Sequence, residues 1–419
     1  MTGPAGTAAV LGIDGLAGSL IETYIPSIHQ KEILMKVMGR FLLLGALALL
    51  TVQCASTSGG DSRRAPVDVA AAALGPYDCQ ERPVTTAAPP PRDVLSLGRL
   101  DDKGRRIERP AKPLITLQPC GSGRVPVSRT IAKNIVAKGN PLLRPTEGTV
   151  EDFFGKRQRI EVFPWKKIYY IPPGPDREPH KVPPDPPGCN GVSSFGTCYY
   201  YGPASFATAA DGGGMTMRIQ RPGFSGSGHS LDELAVQGGD GNGNIIELGW
   251  NLSPVQYSDS DPHLFVFHWI NWAPTCYDGC GWVQYSGTYF PGMNLGALVD
   301  RDVYIGYVFY QGNWWAWFDN QWLGYFPGTE WSGSFTRSSL IQWFGEVATD
   351  NGIPPDVQMG NGLFPSNAGA AINQTLCDVD AAAWVCWYRD MQSLGPNYPP
   401  YYDINRTAFG ATRYGGPGT

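Results

Sequence analysis

The sequence predicts an all-β protein: an antiparallel β-sandwich of the jelly-roll kind over residues 189–419, preceded by a signal peptide and a basic, proline-rich pro-region. Three observations carry this expectation. Short aromatic and β-branched runs (HLFVFHWI, GWVQYSGTYF, VYIGYVFY, NWWAWFD, WLGYFP) alternate with Gly, Asn, Asp and Pro turns, as strands and their connections do. The chain holds 53 Gly and 37 Pro, a turn-rich balance, and no long stretch has helical periodicity. Composition also shifts near residues 183–188. The chain is basic before that point; after Cys189 it has no lysine, an excess of acids and twelve of its thirteen tryptophans.

In chain order, residues 1–34 carry no strong pattern. Residues 35–55, MKVMGRFLLLGALALLTVQCA, place Lys36 and Arg40 ahead of an apolar run from Phe41 to Val52. That is the form of a secretory signal, too short to span a bilayer comfortably, and it makes Met35 or Met38 candidate starts of translation. Cys54 after the apolar run raises lipid anchoring, but Gln53 is a poor fit to that processing, so release outside the cell is the favoured reading. Residues 56–110, rich in Ala, Pro, Ser and Arg, read as a disordered linker. Residues 111–188 read as a pro-region with short strand-like runs (PLITL, RIEVFPW, KIYYI), ending in the tether IPPGPDREPHKVPPDPPG, whose proline density forbids regular structure.

Within the acidic domain the run Asn242 to Trp250, NGNIIELGW, is the most informative. Strand side chains alternate, so Ile246, Leu248 and Trp250 face a core while Ile245, Glu247 and Gly249 face the other way. Gly249 would let a second backbone come close. A second run, Ile341 to Val347, IQWFGEV, puts Glu346 on one face with Gln342 and Phe344. Carboxylates are rarely left on apolar strands, because desolvating the charge costs several kcal/mol. Facing each other they would share a proton and push their pKa values apart, which acid/base chemistry needs. Alone, either glutamate also reads as a solvated or structural side chain.

Six cysteines fall in the domain as local pairs, Cys189/Cys198, Cys276/Cys280 and Cys377/Cys386, which in an exported protein read as disulfides; Cys79 and Cys120 are candidates for a bond in the leader. No second His/Cys pair has ligand spacing, so no metal site is expected. Serine-hydrolase, zinc-protease, phosphate-loop and dinucleotide motifs are absent from the sequence, and no cofactor is expected. An acidic, lysine-free domain argues against nucleic acid. Trp314, Trp315, Trp317, Trp322 and Trp331 exceed what one core face needs, so some are expected to line a groove for proline rings or sugars.

The ordered motifs SLDELAV, NIIELGW, CYDGCGWVQ, GNWWAW, LGYFP, WFGEV, QMGNGLFP and YGGPG resemble the neprosin family of proline-cleaving glutamic peptidases, from about Tyr199 to Gly418. The resemblance implies a secreted zymogen of sandwich fold, active in acid, that cuts peptide bonds after proline with two glutamates and no metal. The family's IEAGW motif reads IELGW here and maps to Glu247; its WGGEV motif reads WFGEV and maps to Glu346. Leu248 and Phe344 depart from the family's small residues, Phe344 on the glutamate face. Trp250, Gln284, Asn313 and Tyr325 lie in the shared motifs and are expected to contact substrate. The expected partners are proline-containing peptides and the protein's own pro-region as intramolecular inhibitor, with a monomeric chain. Acid would neutralise the domain's carboxylates and loosen the basic leader. A glycan-binding sandwich without catalysis and a glycoside hydrolase using the same carboxylates are the alternatives.

Overall fold

The computed structural model describes residues 67–82, 87–91, 113–129, 149–151, 157–159, 188–194, 197–225, 228–238, 243–271, 273–349, 355–395 and 397–418. Residues 1–34, the signal segment 35–55 with Cys54, and most of the proline tether lie outside the described residues.

Two strands, β1 (Tyr77–Glu81) and β2 (Arg124–Ser128), pair antiparallel ahead of the sandwich, as do β3 (Thr149–Glu151) and β4 (Arg157–Arg159). β5 (Val192–Ser194) and β6 (Thr197–Ala207) open a first sheet, and β7 (Gly212–Arg218) joins a second. The chain returns to the first sheet for β8 (Gly228–Gly238), β9 (Ile245–Leu252), β10 (His263–Ile270) and β11 (Ala273–Pro274). β12 (Val283–Gln284), β13 (Asp302–Tyr310), β14 (Asn313–Phe318) and β15 (Gln321–Pro327) build the second sheet. β16 (Ser338–Thr349) then crosses back and inserts between β8 and β6. β17 (Ile372–Asp380), β18 (Val385–Tyr388), β20 (Asp403–Ala408) and β21 (Ala411–Gly415) complete the second sheet, while β19 (Ser393–Leu394) edges the first. Every pairing is antiparallel, giving orders β11-β10-β9-β8-β16-β6-β19 and β12-β15-β14-β13-β7-β17-β21-β20.

The predicted sandwich is therefore the observed one. Its middle is filled by the inward residues of both sheets, among them Ile246, Leu248 and Trp250 from β9, Leu234 and Val236 from β8, Ile341 and Trp343 from β16, and Met215, Ile305 and Trp314 from the facing sheet. Burial of each such side chain is worth roughly 1.5–3 kcal/mol. The Trp343 indole N–H reaches across to the carbonyl of Gly214 at 3.1 Å, so the ring's one polar atom is satisfied inside the core. Two-residue hairpin loops set the β13–β14 and β14–β15 registers. Gln311-Gly312 and Asp319-Asn320 all have positive φ, as the tight turn that matches strand twist requires.

The structure closes the four expected disulfides, Cys79–Cys120, Cys189–Cys198, Cys276–Cys280 and Cys377–Cys386. Part of the expected linker is ordered: the single turn Ala71–Leu74 and β1 lie in it. Leu74 is buried, the amide of Asn294 donates to its carbonyl, and Tyr77 packs on Phe290. A low average hydropathy hid these few apolar anchors.

Candidate active site

Alternation along β9 places Glu247 on the sheet face turned away from the sandwich core, as expected, and β16 places Glu346 on the same face. The registers then fix their relation. Glu247 pairs with Ala235 of β8, and Ala235 in turn with Gln342 of β16; Glu346 pairs with Leu231, and Leu231 with Asn251. The two glutamates are thus two strands apart and four residues offset. Midway on that diagonal sits a third carboxylate: Glu233 of β8, paired with Gly249 on one side and Phe344 on the other.

All three are buried, Glu247 and Glu233 at 1 % exposure and Glu346 at 0 %. The outer two are anchored through one oxygen each. The Trp269 indole N–H donates to Glu247 Oε1 at 2.7 Å, and His229 Nε2 lies 2.6 Å from Glu346 Oε1. Their Oε2 atoms have no partner among the described residues. Each carboxyl is therefore fixed in direction while keeping one oxygen free for chemistry. Around them stand Tyr199, Tyr201, Phe265, Phe267 and Phe344, with Tyr277 packed on Phe267 at 4.9 Å between ring centres.

Burial drives the electrostatics. It pushes the Glu247 carboxyl up to about 8, against the lowering by the Trp269 hydrogen bond and with help from the charge of Glu346. Glu346 is held well above the ordinary carboxyl range by burial. Glu233 is raised by burial, then by the charges of Glu247, Glu346 and Asp232. Tyr277, from the loop closed by Cys276–Cys280, has its phenol raised by burial and then by charges that include Glu346 and Glu247. The strip cannot be fully ionised at neutral pH, because like charges in a dry site repel; it holds protons that nearby groups exchange.

Glycines allow this packing. A Cβ on Gly249 would fall 1.9 Å from the carbonyl oxygen of Asp232, so β8 could not lie where it does; the expected close approach is that of the neighbouring strand. Gly345, beside Glu346, faces the other way, and a Cβ there would strike the Tyr414 ring at 2.3 Å.

The remaining sequence-predicted contacts are elsewhere. Trp250 belongs to the sandwich core, its indole N–H on the Arg218 carbonyl, because it is one residue out of phase with Gly249. Gln284 is buried at the edge of the second sheet, its amide spent on the carbonyls of Ser286 and Tyr289. Asn313 opens β14 and donates to the Gln311 carbonyl in its own turn. Tyr325 lies on the outer face of the second sheet. None of the four reaches the glutamate face. Of the tryptophans, Trp314 and Trp331 are core, while Trp315, Trp317 and Trp322 share that outer face of the second sheet.

Sequence reasoning missed Glu233, His229, Trp269 and Tyr277. Glu233 had a usable signal, since Leu231, Glu233 and Ala235 alternate within an apolar run just as Ile245, Glu247 and Gly249 do. Asp232 beside it faces the opposite sheet and accepts from Asn373 at 2.8 Å. His229 and Trp269 have none, because only pairing across strands brings them to the glutamates.

What this defines is a β-sandwich protein with a buried strip of carboxyls on one sheet face. Residues 226–417 match the neprosin family model, which spans both Glu247 and Glu346. That match supports the neprosin family for this stretch. Among solved structures it is similar to scytalido-glutamic peptidase bound to a peptide-based transition-state analogue, at 10 % identity over 53 % of this chain and 99 % of that one, with a TM-score of 0.31. It is similar at the same identity, coverages and TM-score to SCP-B, an eqolisin-family peptidase in complex with the tripeptide Ala-Ile-His. A homodimeric agglutinin from chicken liver, CG-16, matches at 10 % identity over 35 % of this chain and 93 % of that one, with a TM-score of 0.23. Among the described residues no helix is long and apolar enough to cross a membrane.

Proposed function

We propose that this protein is a glutamic peptidase that hydrolyses peptide bonds on the C-terminal side of proline, secreted as a zymogen and using Glu247 and Glu346 without a metal. The observation that carries the reading is the pair itself. Two glutamates in the family's motifs share one sheet face, each fixed through one oxygen and open at the other.

One carboxylate draws a proton from an attacking water, whose oxygen bonds to the scissile carbonyl carbon, while the other, protonated, donates to the carbonyl oxygen. A proton then passes to the leaving nitrogen, breaking the C–N bond and restoring the pair. The pair titrates as a unit, so the roles belong to the unit and not to either residue. It must keep one of its two protons, so activity fails at high pH when both are lost and in strong acid when both are held. Burial in the full chain holds both carboxyls above the ordinary range, and a site opened to water on processing would return them toward it. The burial of both glutamates in the full chain supports a precursor whose site opens on processing. The disulfides support an oxidising, extracellular destination, and the pro-region, residues 111–188, is the candidate inhibitor, acting within one monomeric chain.

The test is cleavage of a quenched peptide containing a single proline from about pH 2 to 8, with acid-treated wild type and the Glu247→Gln and Glu346→Gln variants. Cleavage after proline with an acidic optimum, lost in both variants and unchanged by chelators, is the expected result. A folded, leader-free wild type that cuts nothing overturns the reading.

A further inference from the structure

The outer face of the second sheet carries a second built site, on a different sheet from the glutamates. Alternation on β14 sends Trp314 into the core and Trp315 and Trp317 outward, where cross-strand pairing sets them beside Tyr325 and Trp322 of β15. The rings meet edge to face and tilted: Trp317 to Trp322 at 4.8 Å, Trp315 to Tyr325 at 4.5 Å, and Tyr285 to Trp315 at 5.4 Å.

The leader segment Ala87–Pro91, sequence AAPPP, lies against this face. Its contacts are of a particular kind. The Trp322 indole N–H donates to the Pro90 carbonyl at 3.0 Å, and the Ala87 amide donates to the Tyr325 hydroxyl at 3.1 Å. Pro90 is buried while Ala88 and Pro91 are exposed. Upstream, the Arg82 guanidinium donates to the Tyr285 carbonyl at 2.7 Å and sits 4.8 Å above its ring. Proline fixes φ, so AAPPP is held extended at little entropic cost, and with no internal hydrogen bonds its carbonyls stay open to outside donors. An aromatic surface whose indole N–H takes a proline carbonyl is the general chemistry of polyproline recognition. The face also has donors to spare, since the buried indole N–H groups of Trp315 and Trp317 have no acceptor among the described residues.

We propose that this face is a docking site for extended, proline-rich polypeptide, filled in the full chain by its own Ala87–Pro91 and open to a proline-rich segment of another chain once that segment leaves. It deepens the peptidase reading in one respect, since a chain gripped here is rich in the residue after which the enzyme would cut. Binding itself does not depend on cleavage.

The experiment uses the full chain carrying Glu346→Gln, so that nothing is cut, with Ala87–Pro91 either kept or replaced by Gly and Ser of equal length. Tryptophan emission is followed as a capped Ala-Ala-Pro-Pro-Pro peptide is added, with Ala-Ala-Gly-Ser-Gly as control. The expected result is saturable binding to the replaced chain, weaker by about tenfold or more in the chain that keeps its segment and with the control peptide. Trp322→Phe and, as the milder change, Tyr325→Phe leave an aromatic ring at each position and remove one polar partner each. At least one should weaken binding several-fold while thermal unfolding stays cooperative. No saturable binding to the replaced chain, equal binding of the control, or both variants binding as the parent does would overturn the proposal. Because binding is read in a background without turnover, its failure and a failure of peptidase activity are separate results.

Discussion

Glu233→Gln is the sharpest test of how the carboxyl strip works. Glu233 sits at the midpoint of the diagonal from Glu247 to Glu346, so it feels two neighbours closely where each outer group feels one. Diagonal neighbours on adjacent strands stand roughly 7 Å apart. With an effective dielectric of about 20, two full charges at that distance repel by about 2.4 kcal/mol, nearly 2 pKa units. Burial and both outer charges raise Glu233, and it is therefore the last of the three to ionise. It stays neutral while Glu247 and Glu346 do the work.

Glutamine has nearly the shape of a protonated glutamate and carries no charge. Replacing Glu233 by glutamine should then leave kcat/KM for the proline peptide within about threefold and move the alkaline limb of the pH profile by less than about 0.3 units. Were Glu233 ionised in the working enzyme, the same change would remove a negative charge beside each outer glutamate. Their pKa values would drop, and the alkaline limb would move toward acid by 1–2 units on the estimate above. A shift of a full unit, or a hundredfold loss of kcat/KM in a folded variant, refutes the reasoning. Glu247→Gln and Glu346→Gln, tested alongside, should both abolish turnover.

Stability should be greatest in mild acid. Burial holds Glu247 at about 8 and Asp232, Asp278 and Asp319 at about 7. Each folded-state pKa is above its unfolded one, so the stabilisation is complete below about 4 and is lost as pH rises toward 7 and 8. Raising Asp278 alone from 3.8 to about 7 corresponds to roughly 4 kcal/mol. Thermal midpoints should accordingly fall steadily between about pH 4 and 8, and a rise over that range would contradict the burial. Gly249→Ala forces a Cβ to within 1.9 Å of the Asp232 carbonyl and should cost about 1–3 kcal/mol in denaturant unfolding. A wild-type midpoint would mean that β8 and β9 yield easily. The Cys276→Ala/Cys280→Ala double variant opens a five-residue loop, worth about 2 kcal/mol of chain entropy. It frees Tyr277 over the glutamates, so kcat/KM should drop more than the melting temperature suggests.

How much of this was legible in the sequence depends on the range of the interaction. Period-two alternation is local, so the faces of β9 and β16, the burial of Leu248 and the outward turn of Glu247 and Glu346 could be read directly. The cysteine pairs close short loops and were equally plain. Neither pattern says which strands are neighbours. That β16 crosses from the second sheet to lie between β8 and β6 is a choice made by long-range packing, and it alone makes Glu233 the middle of a strip and brings His229 to Glu346. Motif membership is silent on neighbours for the same reason. Trp250 and Gln284 are conspicuous in the chain because they build the core and an edge loop.

The docking of the leader shows where charge counting stops being useful. A basic leader on an acidic domain suggested ion pairs that acid would dissolve. Among the described residues, Arg124 pairs with Glu81 and Arg129 with Asp78, both inside the leader, and Arg82 goes to a carbonyl and a ring. A carboxylate that meets the leader is Asp319, which accepts from the Leu114 amide at 2.5 Å and from the Tyr289 hydroxyl. Burial lifts it to about 7 despite those bonds. With Leu114 and Ile115 withdrawn it would face water and return toward the ordinary value of about 3.9. The docked form therefore binds a proton more readily than the free one, and acid favours docking at this contact. If the chain is a zymogen as proposed, release of its leader would come from cutting the chain or from loss of other contacts, not from neutralising Asp319.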